Sequence, residues 1–276
     1  MASVACRGEA GGHAGAPIRA SEAAATAMGD GSAAAATGNA VDDAAIPPVP
    51  LPALPGFFEA LPVPGHSDAW MSLPTGATNK RPVVVVIHGA GDRPDWQCGG
   101  WRRATRELAF IVCPRGAYAP LDSTKGDARY THRGGAVLLA YIDASLAAVE
   151  ARYPDYADTS TPILAGFSLG ASEILALAVQ APARFPRIAL IEGGTSGWTD
   201  ERIDAYRAGG GQRVLYGAGQ RANESTGRAA VRRLIARGLD ARVVYAPVDH
   251  TFDPPLEDAV RDELAWFVAG DPRWKL

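Results

Sequence analysis

The chain has 276 residues, 47% of them hydrophobic and 21% charged, with a formal net charge of -3 and a pI near 6.0. That balance provides for one large core and lacks the strong positive field with which proteins hold nucleic acid, so a neutral or small partner is expected. No apolar run approaches the roughly 20 residues of a membrane span, and three cysteines without Cys-x-x-Cys spacing give neither a disulfide scaffold nor a zinc site.

Residues 1–55 are rich in Ala, Gly, Ser and Thr and end in the proline stretch Ile46-Pro47-Pro48-Val49-Pro50-Leu51-Pro52. With few aromatic or branched side chains to bury, they are expected to form a disordered tail and an extended linker ahead of a domain over 56–276. No basic, apolar signal segment is visible, which fits a cytoplasmic protein. Cys6, after Ser3-Val4-Ala5 and before small residues, loosely resembles the processed start of a bacterial lipoprotein and so leaves an exported form open.

From Gly56 onward, strand-length apolar runs alternate with helix-length amphipathic stretches, the pattern of a mostly parallel sheet with helices on both faces. Strands are expected at 82–88, 109–113, 162–167, 187–191, 213–216 and 241–245, with an antiparallel edge at 69–73. Helices are expected at 100–108, 134–152, 169–180, 199–208, 222–237 and 256–268, the fifth stopping at Gly238. Cys98 then precedes the first helix and Cys113 ends the following strand, so the two either pair in an oxidising compartment or remain buried thiols.

Gly166-Phe167-Ser168-Leu169-Gly170 follows an apolar strand and opens a helical stretch, the strand–turn–helix setting that a Gly-x-Ser-x-Gly nucleophile requires. A turn this tight excludes side chains two residues either side of the serine and leaves the Ser168 hydroxyl exposed. The helix start aims free N–H groups at the reacting centre, with Leu169 N–H as one oxyanion donor. Upstream, Val83 to Ile87 is a buried strand breaking into His88-Gly89-Ala90-Gly91-Asp92, where Ala90 N–H is expected as the second donor and His88 as a brace. Of the five histidines, only His250 lies in a loop between the last expected strand and the terminal helix, at the sheet edge where such folds gather function. It is the expected general base. Its neighbours Asp249 and Asp253 are read as loop or helix-capping residues.

These segments together, His88 to Asp92, Gly166 to Gly170 and the late His250, resemble the α/β-hydrolase superfamily, nearest its acyl-protein thioesterase and phospholipase/carboxylesterase branch. The resemblance spans roughly residues 80–268 in element order. It implies a serine hydrolase of small carboxylic esters or thioesters, working through an acyl-enzyme without cofactor or metal. It also implies an acid after the next-to-last strand, where this chain has Gln220. Glu192, followed by Gly193-Gly194 at the end of the strand after the nucleophile, is favoured in its place, since some lipases of the superfamily carry the acid there; Glu224 is the alternative.

The short stretch from Gly194 to Arg213 leaves no room for a large cap domain. Arg129, Tyr130, His132 and Trp198 either line the substrate pocket or pack as ordinary surface aromatics and polar groups. A peptidase or polyester depolymerase would use the same residues. A degenerate, non-catalytic binding protein is the reading that Gln220 favours.

Overall fold

The computed structural model describes residues 49–276. Its strands are β1 (Glu59–Leu61), β2 (Ala69–Ser72), β3 (Arg81–Ile87), β4 (Phe110–Pro114), β5 (Ala117–Tyr118), β6 (Tyr130–Thr131), β7 (Ala157–Phe167), β8 (Arg187–Ile191), β9 (Arg213–Ala218) and β10 (Asp240–Tyr245). The helices are α1 (Pro94–Ala104), α2 (Ala136–Arg152), α3 (Leu169–Gln180), α4 (Asp200–Ala208), α5 (Arg221–Ala236), α6 (Pro254–Asp262) and α7 (Leu264–Phe267).

Eight strands form one sheet in the order β1-β2-β4-β3-β7-β8-β9-β10, and β5 pairs with β6 apart from it. The β1–β2 and β2–β4 pairs are antiparallel, and every pair from β4 to β10 is parallel. The central strand shows why both faces carry helices. Val83, Val85 and Ile87 point into a core shared with α2, α3, α4 and α5, while Val84 and Val86 point into another with α1, α6 and α7. Alternation sends successive side chains to opposite faces, and each fully buried Val or Ile contributes about 1.5–3 kcal/mol. A continuous valine run is therefore stable only with both faces covered.

Cys98 and Cys113 form a disulfide that ties α1 to β4, with Cα atoms 6.0 Å apart. The first helix differs from expectation. It begins at Pro94, whose fixed φ suits a first helical position, so Cys98 lies inside it rather than ahead of it. It ends at Ala104 because Arg106 and Glu107 take positive φ, 54° and 58°. The terminal helix divides at Glu263 into α6 and α7.

Residues 49–55, expected as linker, run against the domain. Leu51 is buried, its N–H donates to Ala77 O at 2.9 Å, and its carbonyl accepts from Gly76 N–H at 2.8 Å. Leu54 packs against the same core and Tyr156 OH donates to Val49 O at 2.6 Å, so a few contacts among the prolines dock the segment. Cys6 and the rest of the expected tail lie outside the described residues. Between β8 and β9 the chain holds only α4 and short loops, so among the described residues no large cap covers the sheet edge.

Candidate active site

β7 ends at Phe167 and α3 begins at Leu169, so Ser168 alone turns the chain, at φ 53° and ψ -114°. A non-glycine residue there is strained and persists only where its surroundings hold it. The Ser168 N–H is anchored to Ile191 O at 2.8 Å. A Cβ on Gly166 would come within 2.6 Å of the Gly170 backbone, and one on Gly170 would overlap the Ile87 carbonyl. Close approach, not dihedral freedom, accounts for both glycines.

The loop after β10 carries His250 over the serine. His250 Nε2 lies 3.0 Å from Ser168 Oγ, and Nδ1 lies 2.8 Å from Glu192 Oε2. Donation of Nδ1–H to the carboxylate assigns the tautomer whose Nε2 lone pair faces the serine hydroxyl. The ring also packs against Phe167, with centroids 5.0 Å apart, while 44% of its side chain remains exposed.

Glu192 directly follows β8 at a positive φ of 54°, and its side chain is 0% exposed. A buried carboxylate is tolerated when donors surround it, and this one has four. Oε1 accepts from Gly219 N–H at 2.5 Å and Gln220 N–H at 3.1 Å, and Oε2 from Asn223 Nδ2 at 2.8 Å besides His250. Gln220 thus gives its backbone to Glu192. Glu224 turns away to Arg221 and Arg228 at 3.0 and 2.7 Å, and these guanidiniums, Arg228 first, hold its carboxyl below the usual range. It does not touch His250.

Leu169 N–H, at the start of α3, and Ala90 N–H have no acceptor among the described residues. The loop bearing Ala90 lies against the serine, since a Cβ on Gly89 would fall 3.3 Å from Ser168 Cβ. Asp92 braces that loop by accepting from Gly89 N–H at 3.3 Å and Arg93 N–H at 2.7 Å. His88 Nδ1 lies 2.8 Å from Gly89 O and Nε2 2.9 Å from Arg115 O. In a trans peptide the C=O and N–H point in opposite directions. Fixing Gly89 O therefore fixes the direction of Ala90 N–H. Beneath His88 the ring of His132 is buried at a centroid distance of 4.2 Å, and burial, then His88, holds its pKa well below the ordinary value.

A cleft of about 370 Å³ opens beside His250, walled by Trp96, Gln97, Phe167, Phe252 and Glu257. Of Arg129, Tyr130, His132 and Trp198, read either as pocket lining or as ordinary packing, none walls this cleft. Trp198 is buried, its Nε1 donating to Tyr216 OH at 2.6 Å, because the indole completes the core above α4. His132 sits behind the loop, and Tyr130 bonds its backbone to Asp92. Arg129 alone approaches the rim, 4.4 Å over Trp96. Trp96, Phe252 and Asn223 were not singled out by sequence reasoning. Trp96 had one signal, its place six residues after Ala90 in the segment leaving the loop. Asn223 had none. Among the described residues no group of three or more His, Cys, Asp or Glu is placed to hold a metal ion.

No protein-family model and no curated protein matches the chain. Solved structures do. A dienelactone hydrolase-like protein of Klebsiella pneumoniae superposes with a TM-score of 0.55 at 18% identity, covering 77% of this chain and 97% of that one. An S-formylglutathione hydrolase of Staphylococcus aureus gives 0.52 at 12% identity over 76% and 96%. The fluorophosphonate-binding serine hydrolase F of Staphylococcus aureus gives 0.51 at 13% identity over 76% and 97%. At these identities the shared property is the fold.

Proposed function

Since this chain has the α/β-hydrolase fold, we propose that it is a serine hydrolase that cleaves carboxylic esters or thioesters through an acyl-enzyme on Ser168. The observation that carries this reading is His250, whose two ring nitrogens span Ser168 Oγ and the buried Glu192 carboxylate at 3.0 and 2.8 Å. Nucleophile, base and orienting acid stand in hydrogen-bond sequence, as activation of a serine requires.

Ser168 Oγ attacks the carbonyl carbon while His250 Nε2 takes its proton, and Glu192 balances the imidazolium. Negative charge builds on the carbonyl oxygen, where Ala90 and Leu169 N–H and the N-terminus of α3 stabilise it. His250 then returns the proton to the leaving oxygen. In the second half His250 takes a proton from water, whose oxygen attacks the acyl carbon; the acid leaves and Ser168 regains its hydrogen. No step calls for a cofactor.

The test is hydrolysis of p-nitrophenyl acetate and butyrate by wild type, Ser168→Ala and His250→Ala, alongside labelling by a fluorophosphonate probe. Turnover and labelling lost in Ser168→Ala support the reading. A folded wild type that neither turns over nor labels refutes it and favours a binding protein.

A further inference from the structure

Trp96 and Arg103 stand between the cleft beside His250 and a neighbouring cavity of about 510 Å³ lined by Phe57, Phe58, Gly99 and Arg102. Phe57 is 68% and Trp96 50% exposed. Large aromatics left in water beside a cleft mark a surface that something covers. Both are also held in place, Phe57 by Arg102 at 4.9 Å, and Trp96 by Arg93 at 5.1 Å and Arg129 at 4.4 Å. Fixed aromatic surface lowers the ordering cost of binding.

The arginines along this path are paired. Arg103 pairs with Glu257 at 2.5 Å, Arg102 with Glu107 at 2.7 Å and Arg93 with Asp95 at 2.6 Å. Among the described residues no cation there is left unpaired to receive an anionic group, and the two cleft carboxylates without a cationic partner, Asp92 and Asp253, are held by neutral donors, Gly89 N–H, Arg93 N–H and Gln97 for the first and the Thr251 hydroxyl for the second. The occupant is therefore uncharged. Its attachment follows from proton transfer, because the leaving oxygen must meet His250 Nε2 and its substituent must run along the His250 loop. Thr251 to Pro254 of that loop wall the first cavity.

We propose that the cleft and the trough beyond Trp96 form one extended subsite for the alcohol portion of an uncharged, linear ester, the distal part of the chain lying against Phe57 and Phe58. This rests on the ester-hydrolase reading and adds the substrate class. Each buried methylene is worth about 0.8 kcal/mol, close to fourfold, so a chain long enough to cross Trp96 gains substantially over one that ends before it.

The test is kcat/KM for ethyl, butyl, hexyl and octyl acetate, set against an acyl series of p-nitrophenyl acetate to decanoate. The octyl-to-ethyl ratio is expected to exceed about tenfold in wild type. It should fall at least about fivefold in Phe57→Ala and in Trp96→Ala, and stay at the wild-type value in Ile235→Ala. A flat alcohol series, a ratio unmoved by both aromatic variants, or dependence on acyl length alone would overturn the proposal. Binding of octyl acetate to Ser168→Ala, followed by tryptophan fluorescence, separates this proposal from the reading beneath it. Binding weakened by Phe57→Ala in a chain that hydrolyses no ester keeps the trough and removes the esterase; hydrolysis without such binding does the reverse.

Discussion

The side-chain amide of Gln220 donates to Asp249 Oδ1 at 2.9 Å, tying the loop after β9 to the residue that precedes His250. Asp249 needs such a tether because it sits at a positive φ of 64°. Where the family resemblance implies an acid, this chain has Gln220, whose N–H donates to Glu192, the acid proposed one strand over. Glu192→Gln is accordingly expected to lower kcat on p-nitrophenyl butyrate by about 10⁴-fold, as loss of the orienting acid does elsewhere. Gln220→Ala should lose only severalfold, and Glu224→Gln should stay near wild type. Equal losses in the Glu192 and Glu224 variants would remove Glu192 from its assigned role.

In the proposed mechanism His88 would act on the oxyanion through the Gly89–Ala90 peptide. Without its contacts to Gly89 O at 2.8 Å and Arg115 O at 2.9 Å, that peptide would lose a restraint on its orientation and Ala90 N–H its aim at the proposed hole. Loss of one such donor costs about 10² to 10³ in kcat. His88→Ala is therefore expected to lower kcat by roughly tenfold to a hundredfold, with KM within about threefold of wild type. A change confined to KM would mean that His88 shapes the pocket and not the hole.

Sequence reasoning placed the sheet well because its middle strands are buried on both faces and so read as unbroken Val, Ile and Leu runs. It missed β1, three residues whose pairing depends on β2 and not on their own pattern. The α1 start was misplaced because Gly99 and Gly100 look like breakers, whereas both lie inside the helix, Gly100 packed closely against Phe252. Ser168 and His250 were legible from motif and chain order. Glu192 was legible only as one of two candidates, since what distinguishes it from Glu224 is which donors the fold brings, Gly219, Asn223 and His250 in one case and two arginines in the other. The Trp96 wall depends on guanidiniums from separate segments, which no local pattern encodes.

The Cys98–Cys113 bond closes a segment with a sequence separation of 15. A loop of that length is worth about 3 kcal/mol through the unfolded state. In a domain of this size that is a fall of roughly 6–12 °C in Tm, to be measured on Cys98→Ala/Cys113→Ala by calorimetry. Both sulfurs are buried, so native protein in dithiothreitol should keep its wild-type Tm until the fold opens. An unchanged Tm in the double variant would show that packing of α1 on β4 suffices alone.

His132 gives the fold a defined weakness in acid. Its ring is buried, Nε2 has no hydrogen-bond partner, and burial followed by the neighbouring His88 holds its pKa well below 6.5. In the unfolded chain the same imidazole titrates near its ordinary value of about 6.5. Above that pH neither state is protonated and His132 contributes no pH dependence. Below it the unfolded state binds a proton that the folded state refuses, so unfolding becomes easier as pH falls, by at most about 1.4 kcal/mol per pH unit. The loss continues until the depressed folded value is reached. Urea midpoints measured from pH 7.5 to 5 are expected to decline in wild type below pH 6.5 and to decline less in His132→Phe, which keeps an aromatic ring beside His88 and removes the titration. Parallel slopes in the two proteins would place the acid sensitivity elsewhere.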